Sequence, residues 1–124
     1  MDLKKALQEI FKEAMDQYGF QNAPKLYLRQ DETNAEDMLG KTAYYDPEEQ
    51  SIVLYVTNRH PKDICRSFSH ELVHHHQNER GDLYGGNNSP TYAQDDPHMR
   101  KMEMEAYLKG NMLFRDFEDK IKYQ

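Results

Sequence analysis

The segment His70-Glu71-Leu72-Val73-His74 constrains the fold more strongly than any other part of the chain. An α-helix has about 3.6 residues per turn, so side chains four positions apart point in the same direction. On a helix, both imidazoles therefore reach one metal ion, and the carboxylate between them stands ready to accept a proton from a water molecule. The pattern predicts a helix at this position and indicates a candidate zinc site.

The residues on either side of the motif predict a helix over 61–81. Pro61 suits the first helical position, Asp63 lies where the helix dipole favours an acid, and Gly81 provides a stop. The side chains on one face recur at helical spacing and form a buried stripe: Ile64, Phe68, Leu72 and the methylenes around His75. We expect His70 and His74 to lie beside this stripe, half inside the protein.

The other histidines are not expected to share this metal. His75 lies about 100° round the helix from His74, and His76 about 200°, so we expect each to be packed or solvated. His60 is isolated in the sequence. His98, near the start of the next helix, is held in reserve as a polar contact to substrate or as a replacement ligand.

A catalytic zinc ion usually takes three protein ligands, so a further residue is needed. Residues 99–121 predict a helix with one apolar stripe, formed by Met99, Met102, Ala106, Gly110, Leu113, Phe117 and Ile121. Glu103 falls within this stripe, whereas Glu105 falls about 240° from Met99 among polar residues. A carboxylate in an apolar stripe needs a partner, which makes Glu103 the expected third ligand. The alternatives are an ion pair of Glu103 with Arg66 or Arg100, and Glu105 as the ligand on a kinked or shifted helix.

With the histidine pair followed by "EMEAYLKG" on a later helix, the chain resembles the small gluzincins, in particular the ImmA/IrrE-type metallopeptidases of phages and bacteria. In that family a Glu-x-x-Ala helix carries the third ligand, and this motif maps onto Glu103 and Ala106. The chain departs from the family after the motif, with Tyr107 and Lys109-Gly110 in place of Asn and a Phe-Ala pair. The resemblance covers residues 42 to 117. It implies proteolysis with one zinc ion per chain, and it implies no specific target.

The expected reaction is hydrolysis of a peptide bond. Zinc held by His70, His74 and Glu103 lowers the pKa of a bound water, and Glu71 takes its proton and passes it to the leaving amine. The donor to the tetrahedral oxyanion stays open among three side chains: Tyr92, Tyr107 and His98.

The expected fold is a minimal zincin-like α+β domain spanning residues 1–124. Its elements are a helix over 2–18, a strand over 25–30, a polar loop over 31–37, a hairpin of strands 41–46 and 51–57 with Pro47 in its turn, the motif helix, a loop over 82–97 and the closing helix. The long loop is either a lid over the cleft or a solvated connection.

Composition limits the remaining function classes. Only 37 % of residues are apolar and 31 % are charged, so the core must be thin and the site helices must form much of it. The formal charge of -6 argues against direct nucleic-acid binding, which needs clustered cations. The expected partners are a peptide or protein substrate and a protein regulator.

Cys65 is the single cysteine, so no disulfide forms within the chain, and we expect a small core residue rather than a nucleophile or fourth ligand. The N-terminal segment lacks the apolar core of a signal peptide, and no stretch approaches membrane-spanning length. A cytoplasmic protein of a bacterium or phage-infected cell is expected.

Two rival functions remain at this point. One is a non-catalytic interaction module of a phage or mobile element that keeps zinc as a structural staple for a thin core. The other is a metal-dependent hydrolase acting on something other than peptide bonds.

Overall fold

A computed structural model describes residues 2–36, 42–83 and 96–122. Within them, four helices and a three-stranded mixed sheet confirm the predicted α+β class. In chain order the elements are α1 (Leu3–Tyr18), β1 (Lys25–Arg29), α2 (Glu32–Glu36), β2 (Ala43–Asp46), β3 (Ser51–Tyr55), α3 (Pro61–Glu79) and α4 (Pro97–Lys122).

Local signals at both ends define α1. The Asp2 carboxylate accepts a hydrogen bond from the backbone N–H of Lys5 at 3.2 Å, which satisfies a free donor of the first turn. Gly19 ends the helix at φ 63°, a left-handed conformation that glycine adopts without steric cost. The helix predicted over 2–18 is therefore confirmed, with Asp2 as its cap.

The strands form a sheet in the order β1-β3-β2, with β1 parallel and β2 antiparallel to β3. The predicted hairpin is confirmed, and residues 47–50 form its turn. Both hairpin strands are shorter than predicted. The Arg59 guanidinium fixes the hairpin to the following helix, because it donates to the carbonyl oxygens of Thr42 and Tyr55 and to the Ser67 hydroxyl at 2.9–3.0 Å.

The loop predicted over residues 31–37 is wrong in part, because residues 32–36 form the short helix α2. The Asp31 carboxylate accepts from the backbone N–H of Asn34 at 2.9 Å, and its carbonyl accepts from that of Ala35 at 3.0 Å. A capping aspartate followed by one turn gives no apolar repeat, so periodicity does not detect it.

The layers of the fold place α3 at the centre. It packs against α1 on one side, α4 on another, and β2 and β3 on a third. The core residues come from all five of these elements and include Leu7, Ile10, Tyr45, Ile52, Leu54, Ile64, Phe68, Leu72, Leu113 and Phe117. The helix carrying the histidine motif is thus held from three directions.

Strand β1 and the end of α4 are exposed, and the exposure at the end of α4 corrects a sequence expectation. Every residue of β1 is exposed, and Leu28 retains 51 % of its surface, because no described helix covers this edge of the sheet. Ile121 was placed in the buried stripe of the closing helix but is 49 % exposed, since the stripe ends its packing at Phe117. Ala106, Gly110 and the other central members are buried as predicted.

The predicted loop over 82–97 lies mostly outside the described residues, so its role as lid or connection stays a prediction. None of the helices in the described ranges combines the length and the apolar character needed to cross a membrane.

Candidate metal centre

Helix α3 presents the motif as the sequence predicts. Pro61 is its first residue, and the His60 ring accepts a hydrogen bond from the backbone N–H of Lys62 at 3.1 Å. The helix ends before Gly81, which has φ 86°. Both histidines of the motif therefore lie well inside a regular helix, at least one full turn from either end.

The His70 and His74 rings lie side by side, with their centroids 4.8 Å apart and their planes at 81°. The His70 side chain is 18 % exposed and that of His74 is 8 % exposed. The pair lies beside the apolar stripe as expected, but deeper than half inside the protein, because α4 packs over it.

The Glu103 carboxylate of α4 joins the two imidazoles. One oxygen, Oε2, lies 3.2 Å from His70 Nε2, and the other, Oε1, lies 2.8 Å from His74 Nε2. Glu103 lies at the edge of the helix's apolar stripe, since its side chain is 37 % exposed. The structure thus brings together the three residues that the sequence selects as ligands, from two different helices.

These donors fit a divalent metal. The 2.8 and 3.2 Å contacts of Glu103 are hydrogen-bond distances, and they hold its carboxylate against both imidazoles. His70, Glu71 and His74 form a group that can hold a metal ion, with ligand atoms within 4.8 Å of one another. Imidazole nitrogens together with carboxylate oxygens suit a transition-metal ion better than the hard cations that prefer oxygen alone.

Glu71 is buried beside this group. Its Oε2 atom is inaccessible to solvent and has no hydrogen-bond partner among the described residues. Burial raises the pKa of its carboxyl above the ordinary value, although the charges of His74 and His70 act in the opposite direction. A buried carboxyl with a free oxygen is well suited to exchange a proton with a molecule at the metal position.

Glu103 and His74 each stabilise the charged form of the other. Burial would raise the pKa of the Glu103 carboxyl, but hydrogen bonds from His70 and His74 hold it well below its usual range. Burial likewise lowers the pKa of His74, yet the hydrogen bond to Glu103 and the nearby carboxylates outweigh it and raise the value to about 9. A cation at this position therefore meets a carboxylate that is already ionised.

Glu105, the alternative ligand, is engaged elsewhere. Its carboxylate pairs with Arg80 at 2.6 Å and with Lys109 at 3.3 Å. Arg66, an alternative partner for Glu103, pairs instead with Asp63 at 2.9 Å. Of the two candidate ligands on α4, Glu103 is thus the one that reaches the histidines.

The neighbouring histidines occupy separate environments. His75 is fully buried, where its Nδ1 accepts from the Tyr45 hydroxyl at 2.7 Å and its Nε2 donates to the Asn22 carbonyl at 2.7 Å. The His76 ring stacks on Tyr18 with centroids 4.5 Å apart. The expectation that neither shares the metal agrees with this geometry.

Cys65 is fully buried, and burial raises the pKa of its thiol to about 11. A thiol that stays protonated in the core is a packing residue, as predicted, rather than a nucleophile.

The three candidate oxyanion donors differ in position. The Tyr107 ring packs against His70 with centroids 4.7 Å apart, which puts it next to the metal position. His98 Nε2 lies 2.6 Å from the Asp82 carbonyl oxygen. Tyr92 lies outside the described residues. Among the described residues, Tyr107 is thus a candidate donor with an observed contact to His70.

Sequence reasoning missed Gln77, whose side-chain oxygen lies 2.8 Å from His74 Nδ1. The spacing could have indicated this contact, because Gln77 is three positions after His74 and lies on the same face of the helix. A buried glutamine is identified as functional only once its partners on α4 are known.

Comparisons with protein-family models, with curated proteins and with solved structures found no match to this chain.

Proposed function

We propose that this protein is a zinc-dependent metallopeptidase of the small gluzincin type, similar to the ImmA/IrrE-type enzymes. The observation that carries the proposal is the meeting of the Glu103 carboxylate with both motif imidazoles at 2.8 and 3.2 Å, beside the buried Glu71. A chance occurrence of the motif on a surface helix would not come with a third ligand from a second helix. It would also not bury a carboxyl at the same point.

The residues divide the chemistry between them. His70, His74 and Glu103 would hold the zinc ion, which supplies a Lewis acid for the scissile carbonyl and lowers the pKa of a water molecule. Glu71 accepts the proton of the attacking water and delivers it to the leaving amine. The Tyr107 hydroxyl is the proposed donor to the oxyanion, because its ring already lies against His70.

A zincin-like arrangement, in which an edge strand runs along the substrate cleft, belongs to this proposal. Strand β2 lies at one edge of the sheet and packs against α3. Such a strand can align an extended peptide through main-chain hydrogen bonds, so the enzyme selects an extended, accessible segment of its substrate.

A second candidate function is a non-catalytic zinc-stabilised module. It is favoured by one observation: the ligand atom of Glu71 lies within 4.8 Å of those of both histidines, so it can serve as a fourth ligand. A structural zinc site normally closes in this way, whereas a catalytic site leaves one position open. The role of Glu71 therefore separates the two functions.

The test combines zinc content by native mass spectrometry with cleavage of a broad peptide library, on wild type, Glu71→Gln, Glu103→Ala and Glu105→Ala. The metallopeptidase predicts one zinc per chain and cleavage in wild type, and loss of both in Glu103→Ala. Glu105→Ala removes the alternative ligand and should still bind one zinc per chain, although more weakly, because Glu105 accepts from the Gln77 side chain. Glu71→Gln keeps zinc but loses turnover by about 100-fold or more.

Loss of zinc in Glu71→Gln, with no cleavage by wild type, would support the structural module instead. A folded wild type that binds no zinc would overturn both functions.

A further inference from the structure

The Gln77 side chain connects the metal centre to α4. It has no exposed surface, and all of its polar atoms are used. Its oxygen Oε1 lies 2.8 Å from His74 Nδ1, and its nitrogen Nε2 donates to the Met102 carbonyl and to Glu105 Oε1, each at 2.9 Å. A fully buried amide with three such partners has one orientation available.

The chemistry of these partners fixes that orientation. The amide nitrogen can only donate and the amide oxygen can only accept. Both partners on α4 are acceptors, a carbonyl and a carboxylate, so the nitrogen must face α4 and the oxygen must face His74. His74 Nδ1 therefore carries a proton and donates it to Gln77.

A proton on Nδ1 determines what the other ring nitrogen can do. In the neutral imidazole with Nδ1–H, the lone pair is on Nε2. His74 Nε2 is the atom that lies 2.8 Å from Glu103 Oε1, at the position of the metal. The hydrogen bond from Nδ1 thus selects the tautomer that binds metal and also sets the angle of the ring.

Further residues hold the hydrogen-bond partners of Gln77 in place. Glu105 accepts from Gln77 and is held in turn by Arg80 and Lys109. Met102, the other acceptor, directly precedes Glu103 in α4. One amide therefore orients His74 and also fixes α4 next to the third ligand.

We propose that Gln77 is a positioning residue of the metal centre, which holds His74 in its Nδ1–H form and aligns it with Glu103. This inference rests on the proposed function, since it requires that the site binds zinc.

The experiment measures the zinc affinity of the purified chain by competition with a chromophoric chelator, and the imidazole N–H of His74 by ¹⁵N-resolved NMR on the zinc-loaded protein. In Gln77→Met, which has a similar size and no strong acceptor, we expect zinc affinity to fall by about 10- to 100-fold. The hydrogen-bonded Nδ1–H signal of His74 should disappear or shift.

Gln17→Met is the matched control. Gln17 also bonds two acids at 3.0 Å, Glu13 within α1 and Asp116 on α4, but it touches no residue of the metal centre. Its replacement should leave the zinc affinity and the His74 signal unchanged.

The double variant Gln77→Glu, Glu105→Gln keeps an acceptor for His74 Nδ1–H and reverses the hydrogen bond between the two side chains. Because the Met102 carbonyl loses its donor in this variant, we expect it to recover the His74 signal and only part of the zinc affinity. This recovery would not be expected if Gln77 only stabilised the packing of α3 on α4.

The inference is overturned if Gln77→Met binds zinc as tightly as wild type, or if it leaves the hydrogen-bonded Nδ1–H signal of His74 unchanged. In either case zinc binding by wild type leaves the proposed function standing. A wild type that binds no zinc overturns the proposed function, and this inference with it.

Discussion

At the scale of one residue, burial of the Glu71 carboxyl beside the two histidines lowers the free energy of unfolding. A buried carboxyl with an unpaired oxygen loses its hydration without full replacement, which costs free energy of folding. Its raised pKa expresses the same cost, because burial disfavours the charged form. The position of Glu71 is therefore explained by its proposed role in proton transfer rather than by a contribution to stability.

We therefore predict that Glu71→Gln raises the thermal stability of the metal-free protein by a few degrees, because a neutral amide is cheaper to bury than a carboxylate. The same variant should lack peptidase activity. The measurement is the melting temperature in the presence of a chelator, by circular dichroism.

Glu79→Gln, on the same helix, is the control, and its melting temperature should change in the opposite direction. The Glu79 carboxylate accepts from the backbone N–H groups of Gln21 and Asn22 at 3.1 and 2.9 Å, so its replacement should lower the melting temperature. A lower melting temperature in Glu71→Gln than in wild type would contradict the interpretation of Glu71 as a destabilising group.

At the scale of elements, the long helices were predictable because each has an apolar repeat, and α3 also has Pro61 at its start and Gly81 after its end. Helix α3 begins at Pro61 and ends before Gly81 as predicted, and α4 extends only two residues before and one after its predicted range. The five-residue α2 was not predictable, since it depends on one aspartate and buries no apolar stripe.

The same distinction applies to the site. His70, Glu71 and His74 share one helix, so their spacing alone placed them together. Glu103 could be selected by its position at an apolar stripe, although its contact with both imidazoles depends on how α4 packs. Gln77 was missed because its orientation depends on two hydrogen-bond acceptors on α4, and the sequence of α3 does not show that they are nearby.

Close approach of α3 and α4 depends on Gly110. A Cβ atom at this position would lie 2.9 Å from His70 Cα and 3.1 Å from His70 N, both backbone atoms that cannot move independently. Glycine at this point lets α4 approach α3 closely enough for Glu103 to reach the histidines.

We predict that Gly110→Ala destabilises the protein by about 1–3 kcal/mol, because the new methyl group forces the two helices apart. In an uncrowded helix the same change would stabilise by about 0.5–1 kcal/mol, so the sign is informative. Zinc affinity should fall as well, since Glu103 moves with α4. Urea unfolding and chelator competition measure the two effects.

Asn111→Ala is the control for helix propensity, because Asn111 is the next residue and is exposed. It should raise stability slightly and leave zinc affinity unchanged. If Gly110→Ala is as stable as Asn111→Ala, the helices are not in the close contact described above.

At the scale of the whole molecule, polar side chains join α4 to α1 near its end and to α3 near its start. Near its end, Lys120 donates to Glu13 of α1, and Asp116 accepts from Gln17 of α1. Near its start, Glu103 and Met102 meet the motif helix through His74 and Gln77. A metal ion shared by α3 and α4 would therefore join the two helices at the start of α4 and contribute to the stability of the complete fold.

We predict that zinc raises the melting temperature of the metal-free protein, because it binds the folded chain at ligands that unfolding separates. Free zinc at about 100 times its Kd would stabilise the fold by about 2.7 kcal/mol, which corresponds to a shift on the order of 10 °C for a chain of this size. Excess chelator should reverse the shift. Glu103→Ala, which removes the link from α4, should show a much smaller one, and Mg²⁺ should have little effect because imidazole nitrogen is a poor ligand for it. An equal shift by zinc in wild type and Glu103→Ala would mean that the ion binds without joining the two helices, and would remove Glu103 from the site.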